Sequence, residues 1–151
     1  SSSSAASDVY KRQVVLDVRR LQGSPAEVEA AIKETARLDG AGVVISLPQD
    51  PGQAGAAQIA LLSRGLVGFR IISSPEREAK LVRAMPAATQ VDAGNLALVA
   101  GGWNDALLAE MREFPHGGHD DQIDALSRAV NSLAILVPPP ARRLNVPLLS
   151  R

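Results

Sequence analysis

The most informative stretch of the sequence is HDDQIDALS, residues 119–127. In a helix, with about 100° per residue, Asp124 would lie within one turn of Asp120 and Asp121, so three carboxylates would gather at the first turn. Such oxygen ligands suit Mg²⁺ or Mn²⁺ better than zinc. Acids at a helix start also cap the helix, yet three of them repel one another unless a cation or hydrogen bonds offset the repulsion. These residues leave metal binding and plain capping both open.

A second candidate acid is Asp50, which follows an apolar run in the sequence LPQDPGQAG. Open α/β sheets place their active sites at the carboxyl ends of strands. Gly52 and Gly55 would let a backbone or a phosphate approach closely. Asp-Pro-Gly is also an ordinary turn sequence, and the absence of Gly-Lys-Ser/Thr excludes a Walker A loop. The local pattern alone favours a simple turn at Asp50.

The elements that must position these acids are short strands alternating with helices, which predicts an α/β sheet with helices on its faces. We expect strands over 14–18, 43–47, 67–72 and 96–99. We expect helices over 24–39, 54–63, 75–93 with an interruption at Pro86, 103–114 and 120–136. The first helix has the clearest start, because Ser24, Pro25 and Glu27 form a capping box with proline at the first helical position.

The composition excludes several classes of protein. Lys plus Arg and Asp plus Glu are equal at 16 each, so any contact with DNA must come from a local patch of basic residues. The lack of cysteine excludes disulfides, thiolate zinc sites and a cysteine nucleophile. The sequence has no apolar run that would span a bilayer or form a signal peptide, so we expect a soluble, intracellular protein.

The length of 151 residues suits one domain, which we expect to cover residues 14–137. The serine-rich residues 1–13 lack periodicity and are interpreted as a disordered, linking or non-native segment. Residues 138–151 begin with three successive prolines and are interpreted as an irregular tail.

Four separated motifs, in this order, resemble the C-terminal nuclease region of phage terminase large subunits. They are QDPGQAG, KLVRAMPAATQVDAGNLALV, GGWNDALLAEMREFP and HDDQIDALSRA. The resemblance runs from about Val14 to Leu136. It implies a ribonuclease-H-like mixed sheet flanked by helices, in which aspartates from different parts of the sheet converge on two metal ions. Several motifs in the correct order are more specific than any one of them.

Carried onto this sequence, the resemblance implies Asp50 as the mid-chain catalytic acid. It implies Asp121, with its neighbours Asp120 and Asp124, as candidates for the acid on the last helix. Two Mg²⁺ or Mn²⁺ ions about 3.5–4 Å apart would activate a water and stabilise the leaving 3′ oxygen.

The resemblance also implies contacts with the DNA backbone. Lys80 and Arg83, in KLVRA, match basic positions of the family motif and would neutralise phosphates near the cut. The alternative is a solvated helix face. His119 lies in a glycine-rich turn beside the acids, where it would assist proton transfer, orient a carboxylate or contact DNA. A simple surface loop is its alternative.

One departure from the family pattern concerns the opening strand. In the family the first catalytic aspartate precedes the segment that VVLDV resembles, and here the serine-rich start occupies that place. By this alignment Asp17 belongs to a later strand and does not replace the ligand. We see no ATPase motor motif. The resemblance therefore implies an N-terminally truncated fragment that lacks its opening strand.

The function implied by the resemblance is a metal-dependent DNA endonuclease that cuts concatemeric DNA during genome packaging. Its expected setting is the cytoplasm of a bacterial host, as a phage or prophage protein. Its expected partners are double-stranded DNA, the motor domain of the same protein, the portal and the small terminase subunit. One alternative is a non-catalytic fragment that binds DNA or packaging partners. Another is a ribonuclease-H-like enzyme of the resolvase or transposase type, against which the order of motifs argues.

Overall fold

The computed structural model describes residues 12–137 of the chain. The predicted terminal segments 1–13 and 138–151 therefore lie outside the described residues, except for Arg12 and Gln13. Strands and helices follow in the order β1 (Gln13–Val15), α1 (Pro25–Asp39), β2 (Val44–Gln49), α2 (Gln53–Arg64), β3 (Arg70–Pro75), α3 (Lys80–Asp92), β4 (Leu96–Leu98), α4 (Asn104–Glu113) and α5 (Asp121–Leu136).

The described strands form two parallel pairs. β1 pairs with β4, and β2 pairs with β3 from Val44 opposite Arg70 to Gln49 opposite Pro75. The helix α2 provides the crossover that a parallel connection between β2 and β3 requires. The predicted fold class, an α/β protein with strands flanked by helices, is confirmed.

The course of α3 differs from the prediction. It begins at Lys80 and continues through Pro86 to Asp92, so the predicted interruption is wrong. Proline removes one backbone hydrogen bond, but Ala84 and Ala87 on either side of it are buried against neighbouring elements. Tertiary packing supplies most of the stability of a protein helix, and here it offsets the lost bond.

The hydrophobic core lies where α3, α4 and α5 meet. Ala84, Leu107 and Ile123 are buried together, one from each helix. The side chains packed around them are partly buried: Val18, Leu98, Trp103, Met111 and Phe114. No helix within residues 12–137 is both long enough and apolar enough to cross a membrane.

Two contacts fix the direction of α5 along β2. The hydroxyl groups of Ser132 and Ser46 lie 2.8 Å apart, and Arg128 Nη1 donates to the carbonyl of Leu47 at 3.1 Å. The earlier residue of α5, Arg128, therefore contacts the later residue of β2, Leu47. The helix runs opposite to the strand, and its acidic start lies at the end of the sheet where Asp50 follows β2.

Candidate active site

The start of α5 is capped by a carboxylate from another helix. Asp120 stands at the N-cap position, but its side chain accepts no capping hydrogen bond. Instead, Glu110 of α4, only 7% exposed, accepts the Ile123 N–H at 2.9 Å and the Gln122 Nε2 at 2.6 Å. The plain capping interpretation is therefore wrong for Asp120, and the positive end of the helix dipole favours the buried Glu110 carboxylate.

Asp120 and Asp124 turn toward α3 and bind its basic residues. Lys80 Nζ lies 2.6 Å from Asp120 Oδ2 and 3.0 Å from Asp124 Oδ2. Arg83 Nη2 lies 3.2 Å from Asp124 Oδ1. The hydrogen bond to Asp120 raises the pKa of Lys80 above its ordinary value. These two cations offset the repulsion between the acids, which the sequence alone could not assign to a partner.

The ion pairs continue to two residues that sequence analysis missed, Glu76 and Arg128. Glu76 receives Arg83 at 3.1 Å and Arg128 at 2.8 Å. Each had a signal in the sequence. Glu76 directly follows a strand, where α/β sheets place functional groups, and Arg128 lies four residues after Asp124 on the same helix face.

Asp50 lies one residue beyond β2, in a turn shaped by two glycines. Gly52 has φ +95°, which favours glycine, and a Cβ added at Gly55 would overlap the Asp50 carbonyl oxygen. The expected close approach of backbone is therefore present at Gly55, whereas nothing lies within 4 Å of a Cβ added at Gly52. The Asp50 side chain is exposed and makes no ion pair or side-chain hydrogen bond with residues 12–137.

Asp50 and the start of α5 both lie toward the carboxyl end of β2. From Leu47 to Asp50 an extended chain advances about 10 Å. From Arg128 back to Asp121 the helix advances by a similar distance, about 10 Å. Because Arg128 binds the Leu47 carbonyl, both segments extend from that contact toward the carboxyl end of β2. The two acids are not part of a tight cluster, since the described residues contain no group of three or more His, Asp or Glu that could hold a metal ion.

Asp121 is separated from the other two acids of α5. It borders a groove of about 820 Å³ between β1 and α5, together with Asp17, His119 and Glu110. Asp121 is exposed and, like Asp50, has no ion pair within the described part of the chain. Among the four predicted acids, Asp50 and Asp121 thus have carboxylates available to a hard cation, and their oxygen donors fit Mg²⁺ or Mn²⁺.

A family model described as a terminase RNaseH-like domain matches residues 4–133. The chain belongs to this family. The match covers all of the described elements as far as residue 133, in α5, including the four motifs up to HDDQIDALSRA. Neither a search of curated proteins nor a search of solved structures finds a significant match. The resemblance to terminases is confirmed, and the chain is a terminase nuclease domain with a ribonuclease-H-like α/β fold.

Proposed function

We propose that this terminase RNaseH-like domain is a Mg²⁺- or Mn²⁺-dependent endonuclease that cuts concatemeric DNA during genome packaging. The proposal rests on one argument: Asp50 and Asp121 come from distant parts of the chain, both extend from the Arg128–Leu47 contact toward the carboxyl end of β2, and neither carboxylate has an ion-pair partner among residues 12–137. Exposed carboxylates that make no ion pair within the described residues are free to bind a hard cation. A divalent metal ion is the cation that a nuclease would use.

The acids of α5 then have two roles. Asp121 would hold the metal with Asp50, whereas Asp120 and Asp124 anchor the helix start to Lys80. Bound ions would supply an activated water and stabilisation of the leaving oxygen. His119 borders the same groove as Asp121, which supports a role for His119 in contacting a DNA strand that reaches this acid.

The two basic residues of α3 differ in their suitability for DNA. Lys80 is 39% exposed, whereas Arg83 is 19% exposed and bridges Asp124 and Glu76. A phosphate oxygen can approach an exposed ammonium while its carboxylate partners stay in place. We therefore assign phosphate contact to Lys80 and a mainly structural role to Arg83.

The proposed partners are double-stranded DNA, the motor domain of the same protein, the portal and the small terminase subunit. The proposed setting is the cytoplasm of the bacterial host. Family membership supports both, since a terminase nuclease domain acts on DNA as part of a packaging complex.

Nicking of supercoiled plasmid in Mg²⁺ or Mn²⁺ tests the proposal. Asp50→Ala and Asp121→Ala should each abolish nicking, because each removes a metal ligand. The exposed Asp92 on α3 provides a matched control, and Asp92→Ala should nick like the wild type. Nicking that survives both ligand substitutions would refute the assignment. DNA binding without nicking or metal binding would favour the non-catalytic alternative.

A further inference from the structure

Six alternating charges connect the carboxyl ends of β2 and β3 with the start of α5. Each member binds the next through a hydrogen bond or ion pair, with side-chain contacts of 2.6 to 3.2 Å. In order they are Arg128, Glu76, Arg83, Asp124, Lys80 and Asp120. Three cations and three anions make this charge relay neutral, so it can be partly buried without a counter-ion.

Arg128 holds the relay to the sheet. Its side chain is 12% exposed. Nη1 donates to the Leu47 carbonyl at 3.1 Å, and Nη2 donates to the Ser74 carbonyl at 3.3 Å. The guanidinium therefore binds β2 and β3 near their carboxyl ends at once. Lysine has a single ammonium and cannot reproduce this planar, divergent set of donors.

Glu76 joins the sheet to the helices. Its Oε1 receives Arg128 at 2.8 Å, and its Oε2 lies 3.1 Å from Arg83, which binds Asp124. The last paired residues of the two strands are Gln49 and Pro75, so Asp50 and Glu76 each stand one residue beyond the pair. Glu76 of the relay thus lies at the carboxyl end of the β2–β3 pair, where Asp50 also lies.

We propose that Glu76 and Arg128 are positioning residues that hold Asp50 at a fixed distance from Asp121. The inference rests on the proposed function, in which those two acids bind metal. The Asp50 side chain has no described partner, so its place depends on the backbone at the end of β2, which Arg128 binds. Groups that orient metal ligands without touching the metal commonly change metal affinity when they are altered.

The first test is a calorimetric titration of the 151-residue chain with Mn²⁺. Glu76→Gln and Arg128→Lys should each weaken Mn²⁺ binding about 10-fold or more while the circular dichroism stays that of the folded protein. Glu34→Gln and Arg112→Lys are matched controls, because both residues are exposed and unpaired within the described residues, and their Mn²⁺ affinity should equal that of the wild type.

The second test does not depend on metal. Backbone ¹⁵N relaxation should give lower order parameters at Asp50 and Gly52 in both relay variants, whereas α1 should stay as in the wild type. Unchanged order parameters at these two residues would overturn the inference, whatever happens to the affinity. If the wild type binds no Mn²⁺, the proposed function fails, yet a looser Asp50 turn would still support the relay.

Discussion

The starts of α1 and α5 are capped in two different ways. The cap of α1 comes from its own first residues, whereas the cap of α5 comes from Glu110 on another helix. At α1 the Ser24 side chain accepts the Glu27 N–H at 3.3 Å, and Glu27 accepts the Ser24 N–H at 2.6 Å. At α5 the third helical residue is Ile123, which cannot reach back, and Asp120 accepts no capping bond. The cap of α1 is local, because its donors and acceptors all lie within the four residues from Ser24 to Glu27. Acids without that pattern are left available for tertiary contacts.

The largest effect should come from the remote cap of α5. Glu110→Ala removes a buried carboxylate and leaves the Ile123 N–H without its acceptor, while the Gln122 amide keeps only the Ala106 carbonyl, at 3.4 Å. An unsatisfied buried donor costs about 1–3 kcal/mol, so we expect the free energy of unfolding to fall by about 2–3 kcal/mol. Urea unfolding measures this change. The exposed Glu113 on the same helix is the control, and a loss from Glu113→Ala as large as that from Glu110→Ala would contradict the remote cap.

The next effect compares the two N-cap residues directly. Ser24→Ala removes a capping hydrogen bond and should lower the free energy of unfolding by about 1 kcal/mol. Asp120→Ala removes a partly exposed ion pair with Lys80 and should cost less, about 0.5 kcal/mol. Thermal or urea unfolding of both variants gives the order. A larger loss in the free energy of unfolding from Asp120→Ala than from Ser24→Ala would contradict the distinction between the two helix starts.

The smallest effect is a difference in pH dependence. The backbone hydrogen bond from Ser24 lowers the pKa of Glu27, so its stabilisation is present above the ordinary value of 4.5 and is lost as the pH falls through the lowered pKa. Hydrogen bonding to Asp120 raises the pKa of Lys80. Its stabilisation is present below the ordinary value of 10.5 and is lost as the pH rises through the raised pKa.

Unfolding of Glu27→Gln and Lys80→Met against the wild type tests this difference. The difference in the free energy of unfolding between the wild type and Glu27→Gln should shrink only in acid. The gap for Lys80→Met should shrink only above the ordinary lysine pKa. A Lys80→Met gap that is constant through strongly alkaline pH would contradict the ion pairing of Lys80.

The elements were predictable because their signals are local. The capping box at Ser24 set the start of α1, and apolar periodicity gave α5 with Ile123 and Val130 on its buried face. The strand predicted over 67–72 is displaced to Arg70–Pro75 because the chain first turns at Gly68, with φ +92°. A turn of this kind shifts a boundary without changing the kind of element.

The candidate site was only partly predictable because it depends on distant contacts. The resemblance to terminases predicted Asp50 and Asp121 as candidate acids. No local pattern, however, shows that Asp120 and Asp124 form ion pairs while Asp121 forms none within residues 12–137. That division is set by Lys80 and Arg83, about 40 positions earlier in the chain. The contact between Arg128 and Glu76 likewise joins residues 52 positions apart.

The central claim is that one divalent cation site includes both Asp50 and Asp121. Paramagnetic broadening of ¹⁵N-labelled protein by substoichiometric Mn²⁺ tests it most directly, because broadening falls steeply with distance from the ion. We predict that the amide signals of Gly52 and Gln122 broaden together and first, and that Asp121→Asn abolishes both effects. Broadening confined to one of these two segments, or centred on other acids, would contradict the claim.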